Sequence, residues 1–372
     1  MGIQEIRETM KNCRFCFMCR HACPTFLATK LDSHTPRGYA LLLSEIDEGL
    51  KEWSNECIAR FYQCSQCGLC REDCEFHWKE DDLVRHAREE IVAIGREPQN
   101  VKGIAESVRR TGTPFGHRKN ESIGNVFKNQ QNPDVLYFAG CSTHQFHPEV
   151  VQSLTGLLNY SGLSWTMLEP EICCGMPLFD LGYPTFAHQQ AESVAQLLAD
   201  RNPRLLVTGC PHCYRAFQEK YPEWGVSLPS SIQVMHSTEF IDQLMRERKI
   251  ELKSKLALSR VCYHDPCQLG RKMGIYDFPR SIIHQVTGHS PIEIFHNREK
   301  AECCGAGSAL FFSDPGISTQ VARVRWNRIQ EENPQLIVTA CQNCKTALQG
   351  VSSIDVLDIS ELIIQVLGGD QS

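Results

Sequence analysis

Two identical tripeptides, Cys173-Cys174-Gly175 and Cys303-Cys304-Gly305, constrain this chain more than any other feature. Each stands at the centre of five cysteines. The first set is Cys141, Cys173, Cys174, Cys210 and Cys213, spaced C-x31-CCG-x34-C-x2-C. The second is Cys267, Cys303, Cys304, Cys341 and Cys344, spaced C-x35-CCG-x35-C-x2-C. Adjacent cysteines do not serve one tetrahedral ion without strain, and a disulfide between neighbours is strained as well. Two soft thiolates side by side, with three more converging, suit a multi-iron cluster. Gly175 and Gly305 free the backbone to turn and let sulfur approach without a Cβ clash. A lone C-x2-C pair also fits zinc or a redox dithiol. The same pair after Cys-Cys-Gly, twice and at near-equal spacing, points to the cluster.

The chain has 20 cysteines in 372 residues. Secreted disulfide scaffolds are usually far shorter, and the polar start Met1 to Arg7 shows no signal peptide. No apolar run approaches the ~20 residues of a transmembrane helix. The net charge of -6 argues against nucleic acid and against a polybasic membrane contact. The expectation is a cytoplasmic protein whose cysteines bind metal. A partner would supply any attachment to the inner face of the membrane.

Cys13, Cys16, Cys19 and Cys23, followed by Pro24, spell C-x2-C-x2-C-x3-C-P, the bacterial ferredoxin run. Cys64, Cys67, Cys70 and Cys74 repeat the spacing, with Glu75 in place of the proline. In two-cluster ferredoxins the fourth thiolate of each run serves the other cluster. One cubane 4Fe–4S cluster is therefore assigned to Cys13, Cys16, Cys19 and Cys74, the other to Cys64, Cys67, Cys70 and Cys23. Zinc sites usually pair two separated C-x2-C units and fit poorly. Cys57 belongs to neither motif and is expected to be a plain thiol. Helices are expected over 36–62 and 81–95, and residues 96–132 read as a polar linker containing the loop Arg109 to Gly116.

From Asp134 short apolar strands alternate with helices, and the order repeats. Asn202-Pro203-Arg204-Leu205-Leu206-Val207-Thr208-Gly209-Cys210 is answered by Asn333-Pro334-Gln335-Leu336-Ile337-Val338-Thr339-Ala340-Cys341. This is an internal duplication. Strands are expected at 135–139, 164–168, 205–208, 232–236, 260–263, 291–295, 336–339 and 354–358. The fold class is α/β: an α-helical, two-cluster, ferredoxin-like N-terminal domain, then two repeated parallel-sheet Cys-Cys-Gly halves. The domains are drawn at 1–95, 133–250 and 251–372. Cysteines at the carboxyl ends of parallel strands converge on one edge of each sheet. Cys262 is expected to be packing. His264 is the candidate proton donor, weighed against a purely hydrogen-bonded role, as are His144, His147 and His212. Arg271 is a candidate for an anionic substrate group.

Two ferredoxin motifs followed by two Cys-Cys-Gly modules resemble the D subunit of heterodisulfide reductase, which looks like a fusion of a ferredoxin-like C subunit with a Cys-Cys-Gly B subunit. The same architecture is similar to iron–sulfur subunits of glycerol-3-phosphate, glycolate and lactate dehydrogenases. The stretch His264-Asp265-Pro266-Cys267-Gln268-Leu269-Gly270-Arg271 also looks typical of the superfamily. The resemblance implies a noncubane 4Fe–4S cluster on each complete five-cysteine set, and cleavage of a disulfide between the two. All ten positions are filled here. It implies an oxidoreductase subunit that passes electrons from two cubane to two noncubane clusters. The alternative is an electron-transfer subunit linking a flavoprotein dehydrogenase to quinone or another carrier. No Gly-x-Gly-x-x-Gly follows a strand, so any flavin is expected in a partner subunit, and a membrane-anchored partner is compatible with either reading.

Overall fold

Seven short strands carry the duplicated part of the molecule. The computed structural model describes residues 6, 7, 10, 13, 16–116 and 131–367. Strands β1 (Val135–Tyr137), β2 (Trp165–Met167), β3 (Leu205–Thr208) and β4 (Gln233–His236) form one parallel sheet in the order β2-β1-β3-β4. Strands β5 (Val261–His264), β6 (Leu336–Thr339) and β7 (Val356–Asp358) form a second, in the order β5-β6-β7. Every residue of β1, β3, β5 and β6 is buried. That is the pattern of parallel strands with helices on both faces.

The strand expected at 291–295 shrinks to one parallel bridge, Ile292 beside Cys262. Pro291 has no N–H to donate, and the Asn297 side chain takes the Ile294 carbonyl at 2.9 Å. The bridge still lies where β2 lies in the first sheet. The two modules thus share one strand order, and the duplication is structural.

The modules do not have separate cores. Val135, Tyr137 and Val207 of the first sheet lie in one buried cluster with Tyr263 and Val338 of the second. Helices Pro148–Ser161, Asp277–Thr287 and Ile359–Ile364 fill the space between. Each sheet's other face has its own core, and each of those holds cysteines. Cys262 is fully buried in β5, and burial pushes its thiol up to about 12.

The N-terminal part is helical. Helices Pro36–Asp47 and Asn55–Tyr62 replace the single helix-like stretch expected over 36–62, and Glu80–Ala93 follows. Cys57 is buried in the second of these. The expectation of a linker over 96–132 needs correction. Helix Gln99–Thr111 occupies its first part, and buries Val101, Ile104, Ala105 and Val108 in the N-terminal core. These residues recur at helical spacing, an apolar stripe that the polar overall composition hides. Gly112, in the left-handed conformation, ends the helix. Residues 117–130 of the expected linker lie outside the described residues.

Arg88, fully buried on Glu80–Ala93, holds the parts together. Its guanidinium donates to the carbonyls of Phe61 (2.9 Å) and Cys64 (2.7 Å) in the helical part. It also donates to the Asp180 carbonyl of the first module (2.8 Å) and to Ser308 Oγ of the second (2.6 Å).

Candidate metal centres

The strand ends dictate where the sulfurs meet. Cys141 follows β1 and opens helix Cys141–Phe146; Cys210 follows β3 and caps helix Pro211–Arg215, which carries Cys213. The Cys-Cys-Gly loop approaches from the end of β2. Within this set the thiols act on one another in sequence: Cys141 on Cys173, Cys173 on Cys174, Cys174 on Cys213, and Cys213 on Cys210. The second set repeats the chain through Cys267, Cys303, Cys304, Cys344 and Cys341. Cys304 Sγ lies 3.3 Å from Cys344 Sγ. Hydrogen bonds from Cys173 and Cys213 pull Cys174 down to about 6, and hydrogen bonding plus burial hold Cys213 well up. Crowded thiols that cannot all ionise together are soft donors without an acceptor, which is the chemistry a metal cluster satisfies.

Each glycine of the tripeptides is required twice over. Gly175 has φ +92°, and a Cβ there would stand 2.9 Å from the Ala187 carbonyl oxygen of helix Pro184–Arg201. Gly305 has φ +89°, and its Cβ would stand 2.5 Å from the Ser318 carbonyl oxygen of helix Pro315–Gln330. Close packing of each loop on its helix therefore needs a residue without Cβ. Gly140 is similar: its Cβ would come within 3.1 Å of Cys213 Sγ.

The N-terminal cysteines divide into two places. Cys23, Cys64, Cys67 and Cys70 line one small cavity, which places the first run's fourth thiol beside the first three of the second run. Cys13, Cys19 and Cys74 are half-buried and Cys16 is exposed. Cys67 also reaches out of its own domain. It packs in one buried cluster with Cys267 and Cys303. A hydrogen bond to Cys303, then burial, raise its pKa well above the thiol range. Arg271 donates Nε to the Cys67 carbonyl at 2.9 Å, and Lys272 pairs with Asp81. These contacts seat the second ferredoxin motif on the second module.

The two five-cysteine sets meet at His212. Burial opposes charge on this imidazole, yet the neighbouring Cys210 and Cys341 raise its pKa well above the ordinary range. A pocket of about 510 Å³, mouth included, opens above the first set. Its floor is Cys141, Cys174, Cys210, Cys213 and His212; Asn343 enters from the second module. Phe115, Phe311 and Phe312 roof it, with ring centroids 5.2 Å apart for Phe115–Phe312 and 3.8 Å for Phe311–Phe312.

The histidines and Arg271, weighed as proton donors or anion binders against hydrogen-bonding roles, are found in hydrogen-bonding or paired positions. His264, expected as a proton donor, is buried and accepts from Arg325 Nε at 3.2 Å on Nδ1. Burial and the neighbouring Arg325 cation lower its pKa to about 3. It is a hydrogen-bonding group within 4.8 Å of the Cys304 and Cys344 sulfurs. Arg271 spends its guanidinium on the carbonyls of Cys67, Glu299 and Ala301 rather than facing a substrate. His147 ties the modules, with Nε2 2.7 Å from Thr346 Oγ1. His144 lies 3.1 Å from the Glu171 carboxylate.

Several residues here carried no motif. Glu171, nearly fully buried, accepts the backbone N–H groups of Ala139 (2.9 Å) and Gly140 (2.8 Å), and so fixes the turn into Cys141. Arg88, Arg325 and the phenylalanine roof are long-range assemblies.

Fold and site define a class: an iron–sulfur protein with a helical dicluster domain and two cysteine-rich modules. The 4Fe-4S dicluster domain family matches residues 9–78, and the cysteine-rich domain family CCG matches 135–218 and 261–349. Within that class the chain is similar to the D subunit of heterodisulfide reductase. It is 26% identical over 392 residues to the D subunit of the dihydromethanophenazine:CoB–CoM heterodisulfide reductase of Methanosarcina acetivorans, covering 96% of this chain and 94% of that one. It is 26% identical over 411 residues to the B subunit of the fumarate reductase (CoM/CoB) of Methanothermobacter marburgensis, covering 99% and 76%. A crystal structure of a hypothetical protein from Helicobacter pylori shares the fold, with TM-score 0.58 at 10% identity over 99% of this chain and 76% of that one. No helix among the described residues is long and apolar enough to cross a membrane.

Proposed function

We propose that the chain holds four 4Fe–4S clusters and serves thiol/disulfide redox chemistry of the heterodisulfide reductase type. Two are cubanes, on Cys13, Cys16, Cys19 and Cys74 and on Cys23, Cys64, Cys67 and Cys70. Two are noncubane, on Cys141, Cys173, Cys174, Cys210 and Cys213 and on Cys267, Cys303, Cys304, Cys341 and Cys344. The observation that carries this reading is that the Cys-Cys-Gly cysteines gather at strand ends in two sets, with Cys174, Cys210 and Cys213 in one buried cluster and Cys304, Cys341 and Cys344 in another. Bound there, such clusters supply single electrons and an iron that takes a thiolate.

The chain's own residues would do the rest. Residues 1–95, with helix Gln99–Thr111, form the part that receives electrons. Cys67 against Cys267 and Cys303 makes the second module (251–372) the one reached first. The first module (133–250) carries the roofed pocket, where Phe115, Phe311 and Phe312 keep water from the reacting sulfur. His212 holds hydrogen between the two sets. Reducing one disulfide to two thiols takes two electrons and two protons, and a flavoprotein or other redox partner supplies the electrons. Any membrane anchor belongs to a partner.

The relative in fumarate reductase favours a second reading, in which the chain only conducts electrons between a separate dehydrogenase and another carrier. Iron and acid-labile sulfide on protein purified without oxygen test the first requirement. Four clusters give about 16 irons per chain, and the ferredoxin part alone about 8. With about 16, reduction of organic disulfides by dye-reduced protein separates the readings: turnover supports disulfide chemistry, and cluster oxidation only by an electron acceptor supports conduction.

A further inference from the structure

Two buried arginines beside the second five-cysteine set keep N–H groups without hydrogen-bond partners among the described residues. Arg325 is fully buried, and both terminal nitrogens, Nη1 and Nη2, lack a partner. The Glu302 carboxylate stands 3.8 Å from Nη1, beyond hydrogen-bond reach. Asp265 accepts no hydrogen bond from Arg325, because Arg280 holds it bidentately at 2.7 and 2.9 Å, and Glu302 pairs with Arg325 only at ion-pair distance. Arg271 has one further buried nitrogen, Nη2, in the same condition. A buried guanidinium with open N–H groups costs free energy unless an anion takes them.

The duplication provides an internal control. His264 stands three residues before Cys267, and Phe138 three before Cys141. Ser318 and Ala187 mark the same point on the two long helices, since the tripeptide glycines pack on their carbonyls. Seven residues further on, the second helix has Arg325 and the first has Val194. Phe138 and Val194 are both fully buried, in one cluster with Cys174, Cys210 and Cys213. Both sets pack on apolar cores, but at these two positions the first has hydrocarbon where the second has an imidazole and a guanidinium. A ring nitrogen of His264 lies within 4.8 Å of the Cys304 and Cys344 sulfurs. Arg325 Nε donates to its Nδ1, so the hydrogen of the neutral ring sits on Nε2. His212 touches both sets and does not distinguish them.

We propose that Arg325, acting with His264, tunes the second Cys-Cys-Gly centre to a higher reduction potential than the first. The inference rests on the cluster reading above. Reduction adds negative charge to an iron–sulfur centre; nearby cations and hydrogen bonds to sulfur favour the reduced state, and an apolar bed disfavours it. Arg325 is a positioning and tuning residue, since its Nε acts on the centre through His264. The second module, which touches the ferredoxin part through Cys67, then collects an electron readily. The first, under the pocket, is the stronger reductant once loaded.

The test is a potentiometric titration followed by electron paramagnetic resonance, with iron content measured on the same samples. Wild type should show two Cys-Cys-Gly signals with different midpoints. Arg325→Met keeps the stem and removes the charge. It should lower the higher midpoint only, cutting the reduced-to-oxidised ratio at a fixed potential at least tenfold, which is 59 mV for one electron. Arg325→Lys should retain most of the wild-type value. The proposal is overturned by coincident wild-type midpoints, by Arg325→Met leaving both unchanged or moving both equally, or by equal iron loss in the Met and Lys variants, which marks a structural role only. A wild-type chain with about 8 irons overturns the cluster reading itself, and this proposal with it.

Discussion

The two Cys-Cys-Gly modules share strand order, cysteine order and the glycine that packs each loop on its long helix. They differ in nearly everything that surrounds the sulfurs. The first has Phe138, Val194, a buried Glu171 and a roofed pocket. The second has His264, Arg325, Arg271 and a thiol contact to the ferredoxin part through Cys67. Duplication thus set where five sulfurs gather. The neighbours set the charge and the access around that place.

Removing one ligand from each module gives the largest expected contrast. If the second module is reached first, Cys304→Ser should lower iron from about 16 to about 12 per chain and also slow reduction of the intact first module by about a hundredfold or more. Cys174→Ser should cost the same iron, yet leave the second module's reduction rate within a few-fold of wild type. Stopped-flow absorbance with a reduced donor protein separates these outcomes. Equal slowing in both variants breaks the proposed order.

Arg88 belongs to neither module and is bonded to both. Arg88→Met leaves the carbonyls of Phe61, Cys64 and Asp180 without their charged donor, and should cost about 3–5 kcal/mol. Anaerobic thermal melting should then separate the ferredoxin-like part from the modules. A single transition lowered as a whole would place Arg88 in the common core instead.

Much of this was legible in the sequence because it depends on local spacing. Cysteines at strand ends and the Asn-Pro boundaries before β3 and β6 are short-range statements. Helix Gln99–Thr111 was not read, because four apolar residues in a polar stretch look like linker until the stripe is counted. The strand at 291–295 was over-read, because an apolar alternation says nothing of Pro291 and Asn297 ending the pairing. Arg88 and Arg325 were out of reach for a different reason. Their partners lie tens to hundreds of residues away, and a lone arginine in a helix is ordinarily a solvated one.

The tripeptide glycines sharpen the comparison on a smaller scale. Both alanine substitutions place a side chain at positive φ, a strain of about 1–3 kcal/mol. Gly305→Ala meets the Ser318 carbonyl more closely than Gly175→Ala meets that of Ala187, so overpacking should weigh more there, within a range of about 1–3 kcal/mol. Gly305→Ala should therefore melt lower than Gly175→Ala. The reverse order would show that the helix of the second module yields more easily.

The smallest expected effect lies in the caps that close the two sheets. The last residue of β4, His236, and the last of β7, Asp358, each begin a helix through a capping box, with Glu239 and Glu361. Burial lowers His236 to about 3 and raises Asp358 to about 6. Unfolded histidine titrates near ~6.5 and unfolded aspartate near ~3.9. Between pH 3 and 6.5 the unfolded chain binds the histidine proton and the folded chain does not, so stability from His236 is full above ~6.5 and falls with acidification. Asp358 acts with the opposite sign: the folded chain holds its proton up to about 6, so its contribution falls as pH rises from ~3.9 to about 6. Below pH 6 the two slopes oppose, each at most about 1.4 kcal/mol per pH unit. His236→Asn should lose less stability than wild type between about pH 7.5 and 5.5, and Asp358→Asn should lose more. Anaerobic melting temperatures across that range read the difference. Parallel profiles for the two variants would mean the caps titrate alike, and that the divergence of the modules stops at the sulfurs.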